Sequence, residues 1–464
     1  MNGKAFPIRG FNLVESVLRH TPDQLRRFVR RMKSLNMNSL ILHYDYGFRR
    51  YGTLLMEECA AAGIEIRLMV FGPRTVFRFT DWTEQDLAKA EDGRPFTTRL
   101  ECETWPCRAN PGVLERYAEG CRKLLETIPK QISILQMRSA DGFFSCRCPV
   151  CRNHPVRDNW QPFLKIFQQT ARQIRPDLKL EADCYVRRYD FPSDMTVSDN
   201  MDYLMYDTFF RQVRFPLGEP SSNLCDMPYA ADGPVDANLS PNVYHAERIR
   251  AWTQRCPGKI YLHENCMLQS NQGIFQPATG VYLRDLDFLR TCHAEGILYE
   301  AFEPGFSRFE ELFGILSDAL CGKTVLWKPD RREQLFCSRW NGGWMDRDQK
   351  PESVFSGEEL EQIRLVRTIR ETPSIRAMRR FIEFLFERAD HLDYLFITFQ
   401  TLLEMKRKNG LEFPGISEPA ADLLGRRKLW DFMEDIPDDE DPRAATADLL
   451  LELAEHARGP AGGL

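Results

Sequence analysis

The chain has 464 residues and a formal net charge of −5, from 62 basic and 67 acidic side chains. This balance gives no strongly basic face for nucleic acid, and no apolar run approaches the length that crosses a membrane. Residues 1–7 lack the apolar core of a signal peptide, so we expect a cytoplasmic protein whose 14 cysteines are mostly reduced.

Short apolar runs alternate with amphipathic helical patterns from residue 5 to about residue 323. Such alternation predicts repeated βα units and a parallel sheet. We predict eight strands, at residues 8–13, 39–44, 65–71, 132–137, 180–185, 203–209, 259–263 and 297–302. Helical patterns lie between most of them, as at 164–174, 246–254, 282–292 and 309–320, whereas the link between the fifth and sixth strands is short and poor in helix. Eight such units predict an α/β fold, the (β/α)8 TIM barrel.

Beyond residue 323 the pattern changes and becomes almost wholly helical. We therefore divide the chain into a barrel, 1–325, and a mostly helical C-terminal domain, 326–464. Helical patterns occupy 359–370, 374–388, 392–408 and 444–456. Apolar residues are too dense at 381–386 for one solvated helix, so these helices are expected to pack on the barrel or to form a homodimer contact.

Catalytic groups of such barrels lie at the carboxyl ends of the strands. Three carboxylates at strand ends are the catalytic candidates: Asp141 after strand four, Glu264 at strand seven and Glu300 at strand eight. A carboxylate there suits a general acid or base, although Asp-Gly is also a common turn pair. For Glu264 the alternative is an ion pair with an internal arginine. The substrate-binding candidates are His43, Asp45, Tyr46, Arg138, Tyr185, Asp207, His263 and Asn265.

Nearly every predicted strand end carries an acid, a histidine or an aromatic residue. A purely structural barrel does not need that density, whereas a sugar-binding cleft does, because carboxylates and amides bind hydroxyls and aromatic faces stack on sugar rings. Arginines such as Arg138 and Arg211 also lie near strand ends. Since arginine binds carboxylates bidentately, an acidic sugar is one candidate substrate.

Three cysteines, Cys146, Cys148 and Cys151, fall within six residues just after the fourth strand. Closely spaced thiolates suit structural Zn²⁺, which takes four tetrahedral nitrogen or sulfur ligands. Cys107 is the preferred fourth ligand because loops after adjacent barrel strands meet, and Cys102 and His154 are the alternatives. Four thiolates would leave no open position, so the metal would be a structural element. The other interpretation is reduced thiols without metal.

The region around strand four resembles a bacterial family described as alpha-glucuronidase-like, or distantly like family 20 glycoside hydrolases. The resemblance covers about residues 5–330, and its specific motifs are Cys107-x-x-Asn110-Pro111, Asp141-Gly142, Cys146-x-Cys148-x-x-Cys151 and a helix opening near Trp160. This chain has Ala140 where the family typically has Asn before the Asp.

The resemblance implies a barrel that hydrolyses glycosidic bonds with two carboxylates and no organic cofactor. The acid/base after strand four would be Asp141, and the second carboxylate after strand seven would be Glu264, with Glu300 in reserve. We expect the two carboxylates to face each other across the barrel mouth. A non-catalytic or differently catalytic carbohydrate-binding barrel is the alternative.

Overall fold

The computed structural model describes part of the chain. The described residues are 4–13, 21–90, 92–95, 106–139, 146–184, 191–208, 211, 213–220, 240–264, 278–300, 306–339, 360, 364, 399, 402–403, 405–407, 410–426, 429–437, 440 and 442–458. Among them no helix is long and apolar enough to cross a membrane.

Eight parallel strands close into a barrel in chain order, which confirms the predicted (β/α)8 fold. The strands are β1 Ile8–Asn12, β2 Ser39–His43, β3 Glu65–Phe71, β4 Ile134–Arg138, β5 Lys179–Cys184, β6 Tyr203–Asp207, β7 Ile260–Glu264 and β8 Gly296–Glu300. Each strand end lies within two residues of the predicted one. The helices around them are α1 Pro22–Ser34, α2 Arg49–Ala62, α3 Gly72–Phe77, α4 Pro111–Thr127, α5 Val156–Ile174, α6 Thr196–Asp199, α7 Pro241–Arg255, α8 Thr279–Thr291 and α9 Phe306–Leu320.

Helix α1 shows why the sequence forms these elements. Thr21 caps it by accepting a hydrogen bond from the Gln24 amide at 3.3 Å, and the Gln24 side chain accepts one from the Thr21 amide at 2.9 Å. Pro22 opens the helix, where its missing N–H costs nothing. The buried face carries Leu25, Phe28, Val29 and Met32, which pack against the outer side of the barrel.

The barrel interior is filled by stacked layers of four side chains, each layer drawn from alternate strands. A separate cluster of interior side chains, Ile8, Ile41, Met69, Met205, Tyr261 and Leu298, fixes which face of each strand points inward. The strand register then gives four successive interior layers toward the carboxyl ends: Gly10, Arg67, Glu181 and Tyr261; Ile41, Gln136, Met205 and Leu298; Asn12, Met69, Asp183 and His263; and His43, Arg138, Asp207 and Glu300. Gly10 has no room for a side chain, because a Cβ there would lie 1.8 Å from the Ser39 carbonyl oxygen.

The first of these layers contains a buried ion pair. Arg67 Nη1 donates to Glu181 Oε1, and the two side chains are 2% and 0% exposed. Tyr261 donates to the other Glu181 oxygen at 3.0 Å, and Gln136 Nε2 donates to the Tyr261 hydroxyl oxygen at 3.1 Å. Burial raises the pKa of Glu181, and Arg67 opposes that rise. The interior below the mouth of the barrel is therefore partly charged rather than purely aliphatic.

The part of the chain after the barrel includes four described helices. These are α10 Arg331–Arg339, α11 Glu418–Gly425, α12 Leu429–Asp435 and α13 Pro442–His456. Most of the predicted helices at 359–370, 374–388 and 392–408 lie outside the described residues. Arg50 at the start of α2 donates hydrogen bonds to the carbonyls of Ile436, Pro437 and Glu440 at 2.8, 2.9 and 2.6 Å. The loop before α13 therefore contacts the barrel directly.

Candidate active site

The two uppermost interior layers form the floor and wall of the barrel mouth. Seven of their eight side chains are polar: Asn12, Asp183, His263, His43, Arg138, Asp207 and Glu300. All seven are buried, with exposed fractions of 6% or less. Buried polar groups are costly unless they are paired or face a functional cavity. This end of the barrel is therefore the candidate active site.

His263 is held from both sides of its ring. Its Nδ1 lies 2.8 Å from Asp207 Oδ2, and its Nε2 lies 2.9 Å from Asn12 Nδ2. An amide nitrogen donates, so Nε2 accepts and Nδ1 carries the proton that is donated to Asp207. The imidazole is thereby fixed in one tautomer and one orientation.

Arg138 lies between two carboxylates of the mouth. Its Nε is 3.8 Å from Asp183 Oδ2, and its Nη2 is 3.6 Å from Asp207 Oδ2. Asp183 also accepts a hydrogen bond from the Ser139 amide at 3.3 Å. One guanidinium is therefore shared between two carboxylates in the centre of the site.

His43 differs from His263, because neither of its ring nitrogens has a hydrogen-bond partner among the described residues. The side chain is fully buried, and its ring packs edge-on against Phe71 with 5.3 Å between ring centres. Burial lowers the pKa of His43 well below its usual value, and the positive charge of Arg138 adds to that effect. His43 is therefore a neutral imidazole at neutral pH.

Glu264 lies on the opposite face of β7 from His263. Its Oε2 is 2.5 Å from Arg211 Nε, and the Arg211 Nη2 is 2.7 Å from Asp285 Oδ2 on α8. Thr208 also donates to Glu264 at 3.3 Å. This is the ion pair with an internal arginine that the sequence left open as the alternative, and it turns Glu264 away from the mouth.

Glu300 has the inward position that was expected of Glu264. It is the register partner of Asn12 and lies in the same interior layer as His43, Arg138 and Asp207. Its side chain is buried, at 3% exposure. Among the three catalytic candidates, Glu300 is the one that the described residues bring to the mouth.

The remaining candidates have other positions. Asp45 accepts a hydrogen bond from Thr75 and lies 3.3 Å from Arg78 Nη1, so it is engaged in the loop after β2. Tyr46 is fully buried, with its ring centre 6.2 Å from that of His43. Asp141, Tyr185 and Asn265 lie outside the described residues.

Sequence reasoning did not name Asn12, and it noted Asp183 as one of the acids at the strand ends without selecting it as a site residue. Each is the last inward-pointing residue of its strand, and each has a polar partner in the mouth. The partner is His263 for Asn12 and Arg138 for Asp183. The available signal was a polar residue ending an apolar run, as in Gly10-Phe11-Asn12. The partner of Asn12 is 251 residues away in sequence, so the sequence did not reveal the pairing.

The four cysteines Cys107, Cys146, Cys148 and Cys151 do converge, with sulfur atoms all within 4.8 Å of one another. The Cys107 sulfur is 3.6 Å from that of Cys146 and 3.7 Å from that of Cys148. Four thiolates at about 2.3 Å from one tetrahedral ion have sulfur–sulfur separations of about 3.8 Å. The spacing of the cluster therefore fits a single ion such as zinc.

Backbone amides support two of these sulfurs. The Lys89 amide donates to Cys146 Sγ at 3.2 Å, and the Cys151 amide donates to Cys148 Sγ at 3.3 Å. Contacts with the Cys107 and Cys151 thiols lower the pKa of Cys146, which favours its thiolate form. Amide donors to thiolates are the supporting contacts that orient metal ligands. The cluster joins the loops after β3 and β4.

Comparison with known proteins gives similarity of architecture only. No protein-family model matches the chain, and no curated protein matches its sequence. It is similar to a solved glycoside hydrolase with 9% identity and a TM-score of 0.38, over 64% of this chain and 61% of that one. It is also similar to a β-galactosidase from the Antarctic haloarchaeon Halorubrum lacusprofundi, with 10% identity and a TM-score of 0.43, over 78% and 65%.

A D-allulose 3-epimerase from Methylomonas sp. is similar to the same degree, with 11% identity and a TM-score of 0.36, over 69% of this chain and 97% of that one. The chain spans 61% of the length of the glycoside hydrolase and 65% of the length of the β-galactosidase.

Proposed function

We propose that this barrel is a glycoside hydrolase whose reaction takes place at the carboxyl ends of the strands. The observation that supports the proposal is the composition of the two uppermost interior layers. They combine three buried carboxylates, Asp183, Asp207 and Glu300, with Arg138 and two histidines. Glycoside hydrolysis needs a carboxylic acid beside the glycosidic oxygen and a second carboxylate across the anomeric carbon.

Glu300 is the proposed second carboxylate in place of Glu264. Glu264 is tied to Arg211 on the outer side of β7, whereas Glu300 occupies an inward position at the end of β8. Asp183 and Asp207 already face Arg138, and Asp207 also orients His263. The proposed acid remains Asp141, on the grounds of its place after strand four.

A carbohydrate-binding barrel without hydrolysis is the second candidate. The position of Arg138 between Asp183 and Asp207 favours it, because both carboxylates are engaged by the guanidinium rather than free to react with a substrate. The two candidates differ in one measurable respect, since only the first releases the leaving group of a chromogenic glycoside.

We also propose that the four cysteines hold a structural zinc ion. Its four thiolate ligands would be Cys107, Cys146, Cys148 and Cys151, which leaves no position for a substrate or a reactive water. The zinc would contribute the cross-link between the loops after β3 and β4. Asp141 precedes Cys146 by five residues in the sequence of the second loop, so the cluster would support the proposed acid from a distance.

The experiment is a screen of nitrophenyl glycosides and glycuronides with the full-length chain and two matched variants. Glu300→Gln should lower kcat by about three orders of magnitude or more, since it removes a reacting carboxylate. Glu264→Gln is the control, because Glu264 is a buried glutamate on the neighbouring strand. Its loss should lower the melting temperature, and its effect on kcat should be much smaller than that of Glu300→Gln.

Circular dichroism should show both variants folded. Full activity of Glu300→Gln, or an equal loss of kcat in folded Glu264→Gln, would remove Glu300 from the mechanism. Binding of a sugar by calorimetry without turnover of any glycoside would favour the second candidate.

A further inference from the structure

The two histidines of the mouth offer different capacities for hydrogen bonding. Both ring nitrogens of His263 are occupied, one by Asp207 and the other by Asn12. Both ring nitrogens of His43 are buried and have no partner among the described residues. His43 is in the uppermost interior layer, which is formed by residues of β2, β4, β6 and β8. In this layer Arg138 is next to His43, and Asp207 lies opposite. Buried polar groups are nearly always hydrogen-bonded, so a fully buried imidazole in such a position has two nitrogens open to a ligand or to an ordered water.

The hydrogen-bonding pattern of His43 fits a hydroxyl. A neutral imidazole has one N–H donor and one nitrogen acceptor. A sugar hydroxyl both donates and accepts, so a pair of neighbouring hydroxyls can satisfy both ring nitrogens. A carboxylate only accepts, so it would leave the acceptor nitrogen of His43 unpaired in a buried site, which is the costly arrangement.

The charge of the mouth also disfavours an anionic ligand. Within its two described layers there are three carboxylates, Asp183, Asp207 and Glu300, and one guanidinium, Arg138. That guanidinium already faces two of the carboxylates at 3.6 and 3.8 Å. A further carboxylate brought in by the substrate would meet like charges in a site with little water to screen them.

We propose that His43 is a specificity-determining residue that binds a hydroxyl of an uncharged sugar ring, so that the site accepts neutral glycosides in preference to glycuronides. This inference rests on the proposed function, and it replaces the acidic sugar that the arginines in the sequence suggested as one candidate. The contact is to a non-reacting hydroxyl, and the reacting carboxylates are unchanged.

The test compares pairs of nitrophenyl substrates that differ only in –CH2OH or –COO⁻ on the same sugar ring. The full-length chain should show a kcat/KM at least about 100-fold higher for the neutral member of the pair that it hydrolyses best, because sites built to bind a hydroxyl reject analogues strongly. His43→Leu, which removes both hydrogen-bonding atoms, should lower that kcat/KM by about 100-fold or more and narrow the preference. His43→Gln keeps a donor and an acceptor and should retain most of the preference.

His245 gives the matched control. It is a fully buried histidine on α7 whose Nδ1 lies 3.0 Å from the Tyr206 hydroxyl, behind the strand rather than in the mouth. His245→Leu should lower the melting temperature and leave the ratio of the two kcat/KM values unchanged. A preference for the glycuronide in the wild type, or an unchanged ratio in folded His43→Leu, would overturn the proposal.

Failure of the proposed function gives a different result. If no glycoside is hydrolysed, calorimetry with free glucose, galactose and glucuronate tests His43 independently of turnover. Binding of a neutral sugar that is lost in His43→Leu and kept in His245→Leu would support the role of His43. Binding of glucuronate alone, or of none of the three sugars, would reject it.

Discussion

Breaking the buried ion pair below the mouth should have consequences that depend on which partner is removed. Glu181→Gln leaves the Arg67 guanidinium buried without its counter-charge, and arginine cannot lose its proton in a protein. Removal of one partner of a buried pair costs about 3–5 kcal/mol of unfolding free energy. For Glu181→Gln this cost should be nearly independent of pH between 5 and 8.

Arg67→Met should behave differently, because the remaining Glu181 can take up a proton. Burial already raises the pKa of Glu181, and Arg67 is the main group that opposes the rise. A folded-state pKa above the unfolded-state value means that stability is present at low pH and is lost as the pH rises toward the folded-state pKa. The slope is about 1.4 kcal/mol per pH unit, so the variant should lose at least about 2 kcal/mol more at pH 8 than at pH 5.

The assay is urea unfolding followed by circular dichroism at pH 5 and pH 8, with the wild type measured at both. The double variant Arg67→Met/Glu181→Gln removes both charges from the interior and should be less destabilised than the sum of the single variants, by about 2 kcal/mol or more. A pH-independent loss in Arg67→Met, or strict additivity in the double variant, would refute the reasoning.

Three further predictions concern the cysteine cluster, Asp285 on α8 and the loop before α13. Cys148→Ser, or a strong chelator added to the wild type, should lower the melting temperature by several degrees, because metal binding to the folded state contributes to stability; elemental analysis and calorimetry measure this. Burial raises the pKa of Asp285 to about 6, so the unfolding free energy should fall by about 2 kcal/mol between pH 4 and pH 6.5 through this group, and a urea titration of Asp285→Asn should lack that component. Arg50→Gln loses the hydrogen bonds to three carbonyls, so limited proteolysis should cut between residues 436 and 440 at least several-fold faster than in the wild type.

Each of these has a result that would contradict it. Less than about 0.2 zinc per chain in freshly purified protein would leave the cysteines as ordinary thiols. Equal pH dependence of Asp285→Asn and the wild type would mean that Asp285 stays ionised when folded. Unchanged proteolysis in Arg50→Gln would show that the loop is held by other contacts, and Arg30→Gln, on the exposed surface of α1, is the control.

The number and order of the strands could be predicted because apolar runs and helical patterns alternate along the chain. Which face of each strand points into the barrel could not be predicted. In Ile260-Tyr261-Leu262-His263-Glu264, each face of the strand begins with a large apolar side chain, Ile260 on one face and Tyr261 on the other. The sequence therefore does not say whether His263 or Glu264 points inward. The interior position of Tyr261 decides this, and it depends on packing with other strands.

The cysteine cluster and the buried ion pair show how sequence distance limits such prediction. Cys146, Cys148 and Cys151 are close together in the sequence, so their spacing alone suggested that they bind one metal ion. Arg67 and Glu181 are 114 residues apart, and each is a single charged residue in an apolar strand. Only closure of the barrel brings them together.

The sulfur separations of 3.6 and 3.7 Å also determine what would happen to the cluster without metal. Two thiols so close need only small side-chain rotations to form a disulfide, whose sulfur–sulfur bond is about 2.05 Å. Dissolved oxygen can accept the two electrons and two protons that this reaction releases, and Cys148 is partly exposed. A single disulfide would use up two of the four ligands. Metal-free protein kept in air would therefore lose its capacity to take up the ion until a reductant restored the thiols.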